Sequence, residues 1–314
     1  MKIGVDIGGS HVGIGVVNEK GEMVENLEKD YTEEEKSYLK KSSAIQNTYL
    51  DGKNDNKTLM SIAEDYIVDT VNFFKDKYEI EKVGLAIPGT ISDGVILKSV
   101  NLGITNYDIK KRLEERLHLE VSVRNDAKCA AIAEFRFGKY SNMKNILFLT
   151  LGTGIGGAFI YNGELLSGNL FDGYEFGHIV LKENGILCNC GKRGCFERYG
   201  SILTFKKKCI EYLGVSNEIS GPDLRRAIKE NWEGLNSIIN QYISDLALGL
   251  SNLINIFEPD MTIIGGGFAR YDYLLLDLLK KEIISKDLLF NSRDEINLEV
   301  ATLGNDAGII GSVC

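Results

Sequence analysis

The chain has 314 residues, enough for two ordinary domains with a core each. Its formal net charge of −9, with no basic stripe, argues against a nucleic-acid partner, because nonspecific binding needs cations to neutralise phosphates. No run approaches the roughly 18 apolar residues of a membrane span, and the terminus MKIGVDIGGS carries no signal-like stretch, so a cytoplasmic protein without a membrane partner is expected.

The first 17 residues alternate around glycines, Ile3-Gly-Val-Asp-Ile-Gly-Gly-Ser and then Val12-Gly-Ile-Gly-Val-Val. They read as a strand, a tight turn and a returning strand. Residues 31–57, rich in Glu, Lys, Asn and Ser, read as a solvated helix and loop, an exposed excursion of the first domain. Apolar residues from Ile62 to Phe74 recur at helical spacing within Leu59 to Tyr78, and Lys82 to Ile87 reads as a buried strand that Pro88-Gly89 stops. A charged helix over Asp108 to Leu117, a strand over Glu120 to Arg124 and a helix over Ala127 to Phe137, starting at Asn125-Asp126, come next.

About 145 residues after the first hairpin its plan returns: Ile146-Leu-Phe-Leu-Thr-Leu, then Gly152-Thr-Gly-Ile-Gly-Gly, then Ala158-Phe-Ile-Tyr. Both copies end in an Asn/Gly/Glu turn, which suggests a duplication, each copy opening one α/β domain; unrelated glycine-rich hairpins are the alternative. Helices are expected over Ile202 to Leu213, Pro222 to Glu230 and Leu235 to Phe257. A strand over Met261 to Ile264 runs into Gly265-Gly-Gly, followed by a helix over Tyr271 to Ser285, a strand over Asn297 to Thr302 and a helix over Asp306 to Val313.

The densest chemistry lies in HIVLKENGILCNCGKRGC, residues 178–195. His178, Cys188, Cys190 and Cys195 make a complete tetrahedral set for Zn²⁺ with no position left for water, so a structural zinc is predicted. Unrelated buried cysteines are the alternative, which the clustering and the Gly191 and Gly194 turns disfavour. Two carboxylates, Glu175 and Glu197, flank the ligands closely enough for the metal to hold both. The other cysteines, Cys129, Cys209 and Cys314, lie far apart, as expected of a reducing compartment.

Three glycine turns, at Gly8-Gly9, Gly152 to Gly157 and Gly265 to Gly267, each follow an apolar strand and could bring backbone N–H groups to an anion; plain hairpin geometry explains any one of them equally well. GTGIGG is followed by a strand and not a helix, which disfavours a dinucleotide site, and no Gly-Lys-Ser/Thr loop is present. Jointly the turns and Asp6 favour a nucleotide. Asp6 beside phosphates suits a Mg²⁺ held through water, or else caps the turn. Ser10 and Thr153 offer hydroxyls to phosphate oxygens. Asp126 suits a general base for phosphoryl transfer to an alcohol, while its position at a helix start equally suits an N-cap. Asn101, Asn125, Glu175 and Glu197 are hydrogen-bonding groups of the kind a polyhydroxylated ligand requires.

At this point the constellation resembles the ROK family of bacterial sugar kinases and repressors, whose kinases are glucokinase-like. The likeness runs through DIGGS at 6–10, PG at 88–89, NL at 101–102, NDA at 125–127 with Glu134, GTGIGG at 152–157, EFGH at 175–178, CNCGKRGCFE at 188–197, IIGGG at 263–267 and AGIIGS at 307–312. The resemblance implies an α/β fold, a two-domain actin-like ATPase (ribonuclease H-like duplication) with an interdomain cleft. It divides the chain into a small N-terminal domain, 1–122 with the returning helix of 303–314, and a large domain, 123–302, carrying the zinc. It makes Asp126 the base and places Gly89, Asn101, Asn125, Asp126, Glu175, His178 and Glu197 around the sugar, with one ring nitrogen of His178 on zinc and the other on the sugar. Asp6, Gly8, Gly9, Ser10, Thr153, Gly154, Gly265 and Gly266 match the nucleotide side. This chain departs from the pattern at His11, where Lys is usual, at Lys128, where a second Asn is usual, and at Gly173-Tyr174, where Ala-Gly is common.

The expected activity is therefore an ATP- and Mg²⁺-dependent hexose kinase acting on the 6-hydroxyl of glucose or a related hexose, with structural Zn²⁺ and, by family, a homodimer. Alternatives are an N-acetylmannosamine, N-acetylglucosamine or fructose kinase, a sugar-binding regulator lacking its DNA-binding domain, and a silent sugar-binding protein. The hairpin beginning at Ile3 is expected to leave no room for the helix-turn-helix of a repressor.

Overall fold

Alternation along strand β1 (Lys2–Ile7) sends its side chains to two different packing partners. Ile3, Val5 and Ile7 are fully buried in an apolar cluster, whereas Gly4 and Asp6 face the C-terminal helix. This computed structural model describes residues 1–37, 50–51, 58–99, 101–168, 174–291 and 294–314. The expected solvated excursion at 31–57 thus lies mostly outside the described residues, as does Gly173.

The chain divides into two compact units. Unit 1 comprises Met1–Ser141, Leu165–Gly173 and Asn305–Cys314; unit 2 comprises Asn142–Glu164 and Tyr174–Gly304. In unit 1, β1 pairs antiparallel with β2 (His11–Val17), which pairs antiparallel with β3 (Met23–Asp30). A second short sheet contains β4 (Leu50–Asp51), β6 (Thr90–Ser92), β7 (Val95–Ser99) and β8 (Ile104–Asp108) in the order β4-β8-β7-β6. Strands β5 (Lys82–Ile87) and β9 (Glu120–Asn125) extend the first sheet in parallel, giving β3-β2-β1-β5-β9.

Helices α1 (Leu59–Lys75) and α2 (Ile109–Leu117) cover one face of that sheet, contributing Ile67, Val71, Phe74, Leu113 and Leu117 to its core. Thr58 caps α1 in a reciprocal pair with Ser61, and Asp108 caps α2 through the Lys111 N–H, so the expected start at Asp108 is the cap itself. On the opposite face lie α3 (Asp126–Phe137) and the C-terminal helix α9 (Asp306–Ser312). Their close approach requires glycine. A Cβ on Gly4 would lie 2.1 Å from the Ile309 carbonyl oxygen, one on Gly84 2.0 Å from that of Ser312, and one on Gly311 1.8 Å from that of Cys129. The last contact joins α9 to α3 and keeps residues 120–137 in unit 1, so the division falls later in the chain than the expected boundary at 122/123.

Unit 2 repeats the plan. Strand β10 (Ile146–Leu151) pairs antiparallel with β11 (Ile155–Tyr161) and parallel with β13 (Met261–Gly265), which pairs parallel with β14 (Leu298–Val300). With β12 (Glu164–Leu165) the order is β12-β11-β10-β13-β14, the counterpart of the five strands in unit 1. The fold is mixed α/β, and the internal duplication expected from the two hairpins is visible in this shared strand order. The helices are α4 (Glu197–Gly200), α5 (Ile202–Leu213), α6 (Gly221–Glu230), α7 (Asn236–Phe257) and α8 (Asp272–Ser285). Helix α7 supplies much of the core, with Tyr242 stacked on Phe205 at 4.7 Å and donating its hydroxyl to the Gly200 carbonyl at 3.1 Å. No helix among the described residues is long and apolar enough to cross a membrane.

The elements not expected from sequence include β3 and the strands of the small sheet, along with the short pieces β12 and α4. β3 reads MVENLEKD with mostly half-buried or exposed side chains, so it lacks the apolar face that marks a strand.

Candidate functional site

In unit 1 the sheet carries its candidate groups to the ends of β1, β5 and β9. The β1–β2 turn, Gly8 to Ser10, is closed by the Gly8 N–H donating to the His11 carbonyl at 3.0 Å. The Ser10 hydroxyl lies 3.1 Å from His11 Nδ1, and His11 Nε2 lies 3.8 Å from Glu28 Oε1. Asp6, on the face of β1 turned to α9, is close enough to Gly308 that a Cβ there would lie 2.8 Å from its Oδ2. Burial first, then the charges of Asp126 and Glu28, push its carboxyl up to about 7. Glu28 is not legible in sequence because β3 is not; the registers that set Glu28 opposite Gly13, and Gly13 opposite Asp6, bring its charge to bear on Asp6.

The head of α3 separates two roles that the sequence left merged. Asn125 is the N-cap: its Oδ1 accepts from the N–H groups of Ala127 (3.0 Å) and Lys128 (3.3 Å). Its Nδ2 donates to the Gly89 carbonyl at 3.0 Å, at a glycine with φ of +127°. Asp126 is thus the first residue of the helix and not its cap, and its Oδ1 accepts from the Ala127 N–H at 2.9 Å. Gly89, Asn125, Asp126 and Asp6 accordingly share one end of this sheet. Asn101 lies exposed in the turn before β8, and Lys128 is buried at 2% exposure within unit 1.

In unit 2 the chain makes a short 3₁₀ turn over Phe176–His178 and then a compact loop closed by Val180 pairing with Cys195 and Leu187 with Arg193. Gly191 and Gly194 both adopt positive φ, and a Cβ on Gly194 would run into the Lys182 carbonyl oxygen. Lys182 pairs with Asp245 of α7 and lies over the Tyr199 ring, fixing the loop to the core. The result brings His178, Cys188, Cys190 and Cys195 together, with their ligand atoms all within 4.8 Å of one another. His178 Nδ1 is 3.7 Å from Cys188 Sγ, and Cys190 Sγ is 3.6 Å from Cys195 Sγ. Bonds of about 2.3 Å from zinc to sulfur in a tetrahedron require sulfurs roughly 3.8 Å apart, so these four residues can hold that ion.

Glu197 starts α4 beside this cluster. Its Oε1 is 3.6 Å from Cys188 Sγ and its Oε2 accepts from the Ile155 N–H at 3.2 Å. A Cβ on Gly154 would lie 2.2 Å from Oε2, so the second glycine turn is shaped around this carboxylate. Thr153 is exposed in that turn, and Glu175 is exposed ahead of the 3₁₀ turn, its carbonyl accepting from the His178 N–H at 2.9 Å. Tyr174 has a φ of +59°, a conformation that favours glycine, and its ring meets Phe176 and Phe257 edge-on at 5.9 and 6.3 Å. The third turn, with Gly266 at φ +72°, packs on Leu151 of β10; Gly267 meets Ile202 of α5, and the Leu203 N–H donates to the Gly152 carbonyl at 3.2 Å. Gly154, Gly265 and Gly266 thus belong to neighbouring turns joined by the start of α5.

Known proteins match this chain along nearly its whole length. A glucokinase of Halalkalibacterium halodurans is 30% identical over 324 aligned positions, covering 98% of this chain and 92% of the relative. An N-acetyl-D-glucosamine kinase of Haemophilus influenzae is 29% identical, covering 87% of this chain and 86% of its own. The crystal structure of a ROK family glucokinase from Streptomyces griseus in complex with glucose and AMPPNP superposes with a TM-score of 0.75 at 28% identity, covering 99% and 97% of the two chains. The sequence model of the ROK family matches residues 2–314, and the chain belongs to that family.

Proposed function

We propose that this protein is an ATP-dependent hexose kinase that transfers the γ-phosphate to the 6-hydroxyl of glucose or a related hexose. The observation that carries the reading is the head of α3: Asn125 takes the capping role, so the Asp126 carboxylate is not required for it. Asp126 accepts the proton of the attacking hydroxyl and holds its oxygen in line with the phosphorus. Asn125, tied to Gly89, fixes the direction from which that carboxylate acts. Asn101, Glu175, His178 and Glu197 hydrogen-bond the sugar hydroxyls. Since His178 turns Nδ1 to the thiols, its Nε2 serves the sugar.

Asp6, with its turn glycines Gly8 and Gly9 and the Ser10 hydroxyl, serves the phosphates, together with Thr153, Gly154, Gly265 and Gly266. Mg²⁺ supplies charge neutralisation of the phosphates, and Asp6 suits it through water, being a buried carboxylate crowded by Asp126 and Glu28. His178, Cys188, Cys190 and Cys195 fit a structural Zn²⁺, which leaves no ligand position open and supplies rigidity. The likeness of the Halalkalibacterium and Streptomyces glucokinases supports glucose as acceptor, and that of the Haemophilus kinase supports an N-acetylhexosamine as the second reading.

The test is ADP release measured across a panel of hexoses and N-acetylhexosamines with wild-type protein and Asp126→Asn. Sugar-dependent turnover lost in the variant is expected. Unchanged turnover in the variant refutes the assigned base, and no turnover with any sugar refutes the kinase.

A further inference from the structure

Helix α5 begins against two glycine turns and carries a cation one turn further on. Ile202 meets Gly267, and Lys206, four residues on, lies on the same side of the helix. Its Nζ is 5.7 Å from the centre of the Tyr271 ring. The Arg225 guanidinium of α6 is 5.9 Å from the same ring, and Arg270 precedes that tyrosine in the chain. Three cations from three elements therefore gather around one side chain, four residues beyond Gly267.

None of the three makes an ion pair with a carboxylate among the described residues; the nearby Asp223 is taken by Arg226. Lys206 and Arg225 are half-buried, and burial together with Arg270 and Arg225 holds the Lys206 ammonium below its ordinary value. Tyr271 is fully buried, yet its hydroxyl has no hydrogen-bond partner among the described residues. Like charges collected in partly desolvated ground, beside an unsatisfied donor, are unfavourable by themselves, and a multiply charged anion relieves both defects. Two guanidinium forks favour phosphate oxygens over a compact monoanion.

We propose that Lys206, Arg225, Arg270 and the Tyr271 hydroxyl form an anion subsite for an oligophosphate chain, beside the Gly265–Gly267 turn. The inference rests on reading that turn as one that binds nucleotide phosphates, and it extends the phosphate path beyond the glycines. The chain can belong to a nucleotide or to inorganic polyphosphate; the chemistry the subsite recognises is the same.

The test is equilibrium binding of ADP and, separately, inorganic tripolyphosphate to the full-length protein. Wild type is compared with Arg225→Ala/Arg270→Ala, with Tyr271→Phe, which keeps the ring, and with Lys229→Ala, an exposed cation elsewhere on α6. The double variant is expected to bind at least tenfold more weakly and Tyr271→Phe several-fold more weakly, with Lys229→Ala unchanged and thermal unfolding confirming that each variant is folded. Weakening confined to ADP assigns the subsite to the nucleotide; weakening of tripolyphosphate assigns it to an inorganic chain. Equal binding of both ligands by wild type and the double variant, or binding of neither by wild type, overturns the proposal. Loss of anion binding in the variants alongside absent sugar phosphorylation in wild type would sink the kinase reading and leave the subsite standing.

Discussion

Replacing Asp6 by Asn should make the metal-free protein more stable at alkaline pH while disabling it. Burial holds the Asp6 carboxyl in its neutral form up to about 7, against an ordinary 3.8, and the neighbouring Asp126 and Glu28 charges push in the same direction. A folded-state value raised above the unfolded one gives a stabilising contribution that is complete below the unfolded value and is lost as pH rises through the folded one. With about 1.4 kcal/mol per pH unit, ionising Asp6 in the fold costs roughly 4 kcal/mol above pH 7, of which about 3 kcal/mol develops between pH 5 and pH 8. Asparagine has nearly the same shape and no charge to desolvate, so the variant escapes that loss. Urea unfolding in EDTA at pH 5 and pH 8 measures it: the gap between variant and wild type should widen toward pH 8, while kcat with Mg·ATP falls sharply in the variant. Parallel stability profiles across this range would falsify the assignment of a strongly raised Asp6 carboxyl.

Asp126→Asn should lower kcat by about 10²- to 10⁴-fold, the usual range for a general base, with little change in melting temperature. Cys190→Ser should abolish stoichiometric zinc, measured by elemental analysis, and make stability insensitive to chelators that destabilise the wild type. Gly311→Ala drives a methyl into the Cys129 carbonyl and should cost at least about 1–3 kcal/mol by chemical denaturation; wild-type stability would show that α9 can move away from α3. Gly154→Ala, whose methyl would meet Glu197 Oε2, should raise the sugar KM while preserving bound zinc, since the carboxylate must leave the Ile155 N–H.

The sequence makes the duplicated hairpins and the cluster of His178, Cys188, Cys190 and Cys195 legible because both are local: glycine spacing and thiol spacing are written in nearby residues. Strands built on continuous apolar runs, such as Ile146–Leu151 and Met261–Gly265, stand out for the same reason. β3 is unreadable because charged residues dominate it, and with it goes Glu28, whose approach to His11 and charge effect on Asp6 arise only through strand register. The Asn125-Asp126 pair is ambiguous in one dimension, since either side chain can cap a helix. Only the observed bonds from Asn125 to two amides and to Gly89 decide it. The cations around Tyr271 come from positions 206, 225 and 270, a separation across which no spacing rule operates.

A metal held by the thiol cluster would touch no reacting atom, yet it would act on the kinetics through Glu197. One of its oxygens faces the Cys188 thiol and the other is held by the Ile155 N–H, so the carboxylate spans the thiol cluster and the glycine hairpin. Cys188 is 2% exposed, and burial pushes its thiol up to about 12, so without a cation this residue favours the neutral thiol. Loss of a metal there would therefore change the charge and direction of the group that Glu197 faces, while Asp126, on α3 of unit 1, keeps the hydrogen bond it accepts from the Ala127 N–H. Metal removal in a protein that stays folded should consequently appear first as a rise in sugar KM, with kcat changing later and less.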